Sequence, residues 1–200
     1  MLGIACGQEG KLVKKVSISE CFNQYKSAIV EKQGLTAYAK LDASTKTRIQ
    51  KNIQHARNSK KEAIWNLPFM DKLMILSLRH YFSREQLKTI NGEAFFAFAV
   101  ENNHFGLRSV ENFELDKIEE NGPSASSSVK QNGKAITFSI FFNRENGAWK
   151  INLNSLFKLV SSVMKKSMPP GTQKENDHII NILENGSKKK VEADIWNHTL

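Results

Sequence analysis

Residues 121–153 read NGPSASSSVKQNGKAITFSIFFNRENGAWKINL. Three Asn-Gly steps punctuate this stretch, at Asn121-Gly122, Asn132-Gly133 and Asn146-Gly147. A tight hairpin turn asks for positive φ at its two central residues; Gly takes it freely and Asn tolerates it. Between the turns the residues alternate. Ile136, Phe138, Ile140 and Phe142 are interleaved with Ala135, Thr137, Ser139 and Phe141, and Trp149, Ile151 and Leu153 with Lys150, Asn152 and Asn154. A period of two is the signature of a strand with one buried face. Just upstream, Phe113 and Leu115 alternate with Glu114 and Asp116, while residues 124–130 are polar and β-tolerant. The stretch predicts an up-and-down antiparallel meander. Phe141 is its one large apolar residue on the outer face, and Pro123 loosens the turn at Asn121 because it cannot donate to a ladder.

Outward from the meander the period changes to that of a helix. Ser17 and Glu20 form a capping-box pattern, followed by Ile18, Cys21, Phe22, Tyr25, Ala28 and Ile29 on one face, with Gly34 in the C-terminal cap position. A second helix is predicted from about Ser44 to Ser59 on the thin stripe Ile49, Ile53 and Ala56. From Asp71 to Tyr81, Leu73, Met74, Ile75, Leu76 and Leu78 nearly encircle a helix that must be deeply packed. Ser83 and Gln86 open a short helix. Residues 93–100 read as another, with a buried strand as the alternative that periodicity leaves open.

Beyond the meander, Leu156, Phe157, Val160, Val163 and Met164 predict a helix, and residues 168–171 (MPPG) a linker. Thr172 and Glu175 form a further capping-box pattern ahead of the stripe Ile179, Ile180 and Leu183, closed at Gly186. The expected class is α+β: N-terminal helices packed against a curved antiparallel meander sheet, with a C-terminal helical extension. The expected organisation is a flexible N-terminal segment at 1–16, an α+β domain at 17–155 and the helical extension at 156–200.

With 200 residues, 40% hydrophobic and 24% charged, the composition is that of a soluble globular protein. No run approaches the roughly 20 apolar residues that span a bilayer. The net charge of +9 is spread over modest lysine clusters and interrupted by Glu111, Glu114, Asp116, Glu119 and Glu120. No zinc-finger spacing or RNA-binding aromatic strand accompanies it, so a solvated basic surface is expected and nucleic acid is not. Cys21 falls on an apolar helix face and reads as a buried thiol. Residues 2–6 (LGIAC) have the small residue and Cys6 that end a bacterial lipoprotein signal, but neither the charged start nor the apolar run precedes them. As written, the chain is expected in the cytoplasm; a signal lying upstream would make it an envelope protein anchored at Cys6.

The helix over residues 18–34, the apolar stretch 71–100 and the hairpin 138–153, which ends Gly147-Ala148-Trp149-Lys150-Ile151-Asn152-Leu153, together resemble the nuclear-transport-factor-two-like superfamily. The likeness spans about residues 17–155 and is one of fold. The helical portion before the meander is longer than the family plan, and the tail beyond Leu156 is extra. The resemblance implies a curved sheet wrapped on a long N-terminal helix around a conical pocket, and a dimer contact through the outer sheet face, where Phe141 stands. Some members are isomerases, dehydratases or hydrolases that use Asp, His or Tyr inside the cone.

The matching candidates here are His80 and Asp71, whose burial together could shift their pKa toward neutrality. They lie nine residues apart on one helix, about two and a half turns, and cannot touch. A simpler assignment has Asp71 opening the helix and Arg79-His80 at the negative end of its dipole. Tyr25, Trp65, Phe95, Phe98, Phe138, Phe142 and Trp149 are the expected pocket lining. No metal-ligand spacing, nucleophile elbow, phosphate loop or cofactor motif occurs. The favoured reading is a non-catalytic binding module with a hydrophobic pocket between helices and sheet, taking a small apolar ligand or a protein partner. The alternatives are a small isomerase or dehydratase using that pocket, and the envelope lipoprotein.

Overall fold

Ser17 opens the first helix as its spacing predicts. Its hydroxyl accepts from the Glu20 N–H at 3.1 Å, and the Glu20 carboxylate accepts from the Ser17 N–H at 3.4 Å. The computed structural model describes residues 16–168, 171–197 and 200. Cys6 lies outside the described residues. The first helix, α1 (Ile18–Val30), buries Ile18, Cys21, Phe22, Tyr25, Ala28 and Ile29. Burying each large apolar side chain contributes about 1.5–3 kcal/mol.

The helices that follow are α2 (Gly34–Ala39), α3 (Ala43–Asn58), α4 (Lys61–Ile64), α5 (Phe69–Tyr81), α6 (Arg84–Thr89) and α7 (Gly92–Glu101). A 3₁₀ segment, His104–Asn112, leads into the sheet. Residues 92–101 are helical, which settles the ambiguity of the short apolar run; the Asn91 side chain caps the Ala94 N–H at 2.8 Å. Gly34 does not terminate α1. The left-handed residue there is Lys32, at φ 58°, while Gly34 begins α2 and packs on α7. A Cβ on Gly34 would stand 2.3 Å from the Ala97 Cα, so the closeness of the two helices excludes any side chain.

The sheet is a four-stranded antiparallel meander in sequence order: β1 (Phe113–Asn121), β2 (Ser124–Gln131), β3 (Lys134–Glu145) and β4 (Ala148–Asn152). Asn132-Gly133 and Asn146-Gly147 both take positive φ at each residue, the geometry their sequence predicts. The first turn differs. Asn121 pairs with Ser124, so the two-residue loop is Gly122-Pro123, with positive φ at Gly122. Register shifts in β1–β2 (between Leu115 and Ile118) and in β2–β3 (between Ser128 and Val129) mark bulges, which bend strands and deepen twist.

α1 lies across this sheet and is tied to both its edges. The Cys21 thiol donates to the Trp149 carbonyl of β4 at 3.1 Å, and the Lys26 ammonium to the Phe113 carbonyl of β1 at 3.0 Å. Burial pushes the Cys21 thiol up and keeps it protonated. Asp42, fully buried, joins helix to sheet. Its carboxylate caps α3 through the Thr45 N–H at 2.8 Å and accepts from Asn143 at 2.8 Å and Asn152 at 2.9 Å. Two helices close the chain, α8 (Asn154–Ser167) and α9 (Thr172–Ser187), both packed on α5. No helix among the described residues is long and apolar enough to cross a membrane.

Candidate functional site

α3, α6, α8 and α9 pack against α5, and every residue from Phe69 to Arg79 is buried. Its N-terminus has no side-chain cap of its own, and α8 supplies one. The Ser161 hydroxyl accepts the Met70 N–H at 3.2 Å, satisfying a donor that helix geometry leaves orphaned. α9 is fastened further along. The Lys72 ammonium, 1% exposed, meets Glu175 at 2.5 Å, Asn176 Oδ1 at 2.6 Å and the Trp65 carbonyl at 3.2 Å. Glu175 thus turns to Lys72, and the first residue outside α9 is Gly171, one place before the expected cap. At the far end of α5 the Arg79 guanidinium donates to the carbonyls of His55, Ala56, Ser59, Ile195 and Trp196. It ties the end of α3 to the C-terminal segment. Burial pulls it down to about 10, so it stays charged at neutral pH.

These fastenings hold α8 and α9 against α5 without bringing them into full contact. Between them lies a cavity of about 400 Å³, within the size range of small-molecule sites. α5 contributes Phe69, Met70, Leu73 and Ser77; α8 contributes Val160 and Met164; α9 contributes Ile182, Leu183 and Gly186. Tyr81, Asn103 and His104 complete the wall. No charged side chain of the described residues lines it. The Tyr81 ring sits 4.7 Å from the His104 ring and 5.5 Å from Phe98. Burial pulls the His104 imidazole down and pushes the Tyr81 phenol up, so both favour the neutral form.

The sheet side contrasts with this. Between α1, the 3₁₀ segment and the strands the space is about 20 Å³, room for about one water molecule. Tyr25 and Phe138 border that void. Phe95, Phe142 and Trp149 are buried in packed core. Trp65 stands edge-on to Trp196 at 4.8 Å, and Phe98 stands edge-on to Phe82, also at 4.8 Å, beside the larger cavity. None of these aromatics lines the larger cavity. Phe141 projects from the outer sheet face, 46% exposed.

The two titratable candidates are held by other partners. Asp71 accepts both fork nitrogens of Arg48, each at 2.7 Å, and the Asn52 amide at 2.9 Å. His80 Nε2 lies 2.7 Å from the Ser187 hydroxyl, and burial pulls the imidazole down. Neither lines the cavity. The lining residues that sequence reasoning missed carry a faint signal: Ser77 and Gly186 are small residues inside otherwise bulky helical stripes, where two helix surfaces then fail to fill the space between them. Compared with known proteins, the chain matches no family model, no curated protein and no solved structure.

Proposed function

We propose that the protein is a binding module for a small apolar molecule, and that the ligand occupies the cavity among α5, α8 and α9. The observation that carries the reading is an apolar space of about 400 Å³ whose described wall holds no charge. Transfer of apolar surface from water into such a space is favourable by about 25 cal/mol per Å². The reading takes the site to be non-catalytic because Asp71 is engaged by Arg48 and Asn52, and His80 by Ser187. The likeness to the nuclear-transport-factor-two-like plan belongs to the same proposal; α1 lying across the meander supports it. In this protein the ligand space would then sit outside the cone, against the added C-terminal helices.

The test is a titration with N-phenyl-1-naphthylamine, a neutral probe that fluoresces in apolar surroundings. Saturable enhancement at one site and a ligand-dependent rise in Tm are expected. The double substitution Leu73→Phe, Val160→Phe places two rings in the cavity and should abolish both while leaving the far-UV circular dichroism unchanged. A flat titration of the folded protein, or undiminished binding by the double variant, would overturn the proposal.

A further inference from the structure

The cavity has a direction. Along α5 the wall begins at Phe69, Met70 and Leu73, and these with Leu183 of α9 are buried. It ends along α5 at Tyr81, joined by Asn103 and His104. Asn103 and Gly186 are exposed, so the cavity has a solvent-facing mouth on this polar side, while half-buried Val160, Met164 and Ile182 border it elsewhere. The phenol of Tyr81 is placed there by two contacts. Its ring rests on His104 and Phe98, and its hydroxyl reaches α9 beside Gly186, where a Cβ would stand only 3.0 Å from the oxygen. A glycine at this point of α9 leaves the hydroxyl its position in the wall.

The chain around Gly186 carries charges of both signs. Residues 188–190 are lysines, but Lys190 binds Glu184 at 2.8 Å. Glu184 and Glu192, with Lys189, all act electrostatically on His80. The described wall carries no formally charged side chain, and burial holds its one imidazole, His104, toward the neutral form. Burying an unpaired ion costs far more than burying a hydroxyl that gains a hydrogen bond.

We infer that the cavity selects a neutral amphiphile with a single polar head, its apolar body lodged against Leu73 and Leu183 and a hydroxyl or carbonyl oxygen meeting the Tyr81 hydroxyl at the mouth. The inference rests on the cavity being the ligand site and adds the chemical class of the ligand. It excludes carboxylates as preferred ligands and assigns Tyr81 as the group that reads the head.

The experiment displaces bound N-phenyl-1-naphthylamine with three matched molecules at pH 7.5: naphthalene, 2-naphthol and 2-naphthoate. 2-Naphthol should displace the probe at roughly a tenth or less of the concentration that 2-naphthoate needs. It should also be about threefold to tenfold better than naphthalene, the range of one net hydrogen bond. Tyr81→Phe keeps the ring and should remove the advantage of 2-naphthol over naphthalene, with probe affinity retained. Equal displacement by all three molecules, or a 2-naphthol advantage untouched by Tyr81→Phe, overturns the assignment of the head while the cavity stands as a site. Probe binding without displacement by any of them also overturns it. Failure of the probe to bind removes the cavity reading itself and this inference with it.

Discussion

The two sides of the molecule use apolar residues to opposite ends. Where α1 meets the meander, Phe22, Tyr25, Phe113 and Phe138 surround a space of about 20 Å³. Where α8 and α9 meet α5, a wall of mostly aliphatic and small residues, with Phe69, Tyr81 and His104 at its margins, leaves about 400 Å³. Aromatic side chains bring large volumes and fill the gap between a bent sheet and a helix. Leu73, Ser77, Val160 and Gly186 do not reach across the corresponding gap between three helices. The helices are nonetheless kept in place, by Lys72 with Glu175 and Asn176, by Ser161 on Met70, and by Arg79 on the C-terminal segment. Polar fastenings at the ends substitute for close packing in the middle. A space can persist in a core when the elements around it are positioned by something other than contact across it.

The contrast can be broken most directly by truncation. Phe142→Ala, at a fully buried position of β3, should cost about 3–5 kcal/mol, because the filled side cannot collapse onto the hole. Met164→Ala, at a half-buried position already bordering the cavity, should cost about 1 kcal/mol or less. Urea unfolding at constant m-value measures both. Similar losses at the two sites would mean that the cavity side is as tightly packed as the sheet side.

The side that was filled was also the side that could be read from sequence. Strand alternation and Asn-Gly turns are local rules, and two of the three turns obey them at both residues. The turn at Asn121 slipped by one because Pro123 supplies a fixed negative φ and leaves Gly122 alone to take the positive one. The glycines of the helical side mislead for a tertiary reason. Gly34 and Gly186 look like helix stops, yet the left-handed positions are Lys32 and Lys188, each two residues away. Both glycines stand where another chain segment comes close: Ala97 in one case, the Tyr81 hydroxyl in the other. Nothing in the neighbouring sequence announces those approaches. Glu175 likewise follows the capping-box spacing but pairs with Lys72, a residue 103 positions earlier in the chain. The cavity was illegible because it depends on which helix stripes face one another and how far apart their fastenings hold them. Aromatic content pointed to the sheet, and there the aromatics fill space.

Enlarging residues sharpens the same comparison at lower cost. Ile151→Phe adds volume beside the small void, where the ring must displace its neighbours, and should cost about 1–3 kcal/mol. Leu73→Phe makes a similar addition into the cavity and should change stability by less than about 1 kcal/mol. A large loss at Leu73 with none at Ile151 would invert the assignment of filled and hollow sides.

Acid should find the same division, with the smallest effect. Burial is the main cause that holds His55, His80 and His104 below their ordinary value of 6.5, and all three belong to the helical part, at the end of α3, near the end of α5 and at the start of the 3₁₀ segment. A histidine with a lowered folded pKa favours folding while neutral. As pH falls past 6.5 the unfolded chain takes up the proton first, so stability present above that value is lost as pH descends through the folded values. All three rings keep contact with solvent, which limits the loss. Glu184, held below its usual 4.5 chiefly by its hydrogen bond from Lys190, titrates beneath this window. On the sheet side, burial raises the Cys21 thiol and the Tyr25 phenol, which ties their contribution to alkaline pH, where the unfolded chain loses its protons first. Amide hydrogen exchange at pH 7 and pH 5, corrected for intrinsic rates, should therefore show protection falling more in α5 and α9 than in β3 and β4. Equal losses in both regions, or a loss confined to the strands, would separate acid sensitivity from the three histidines.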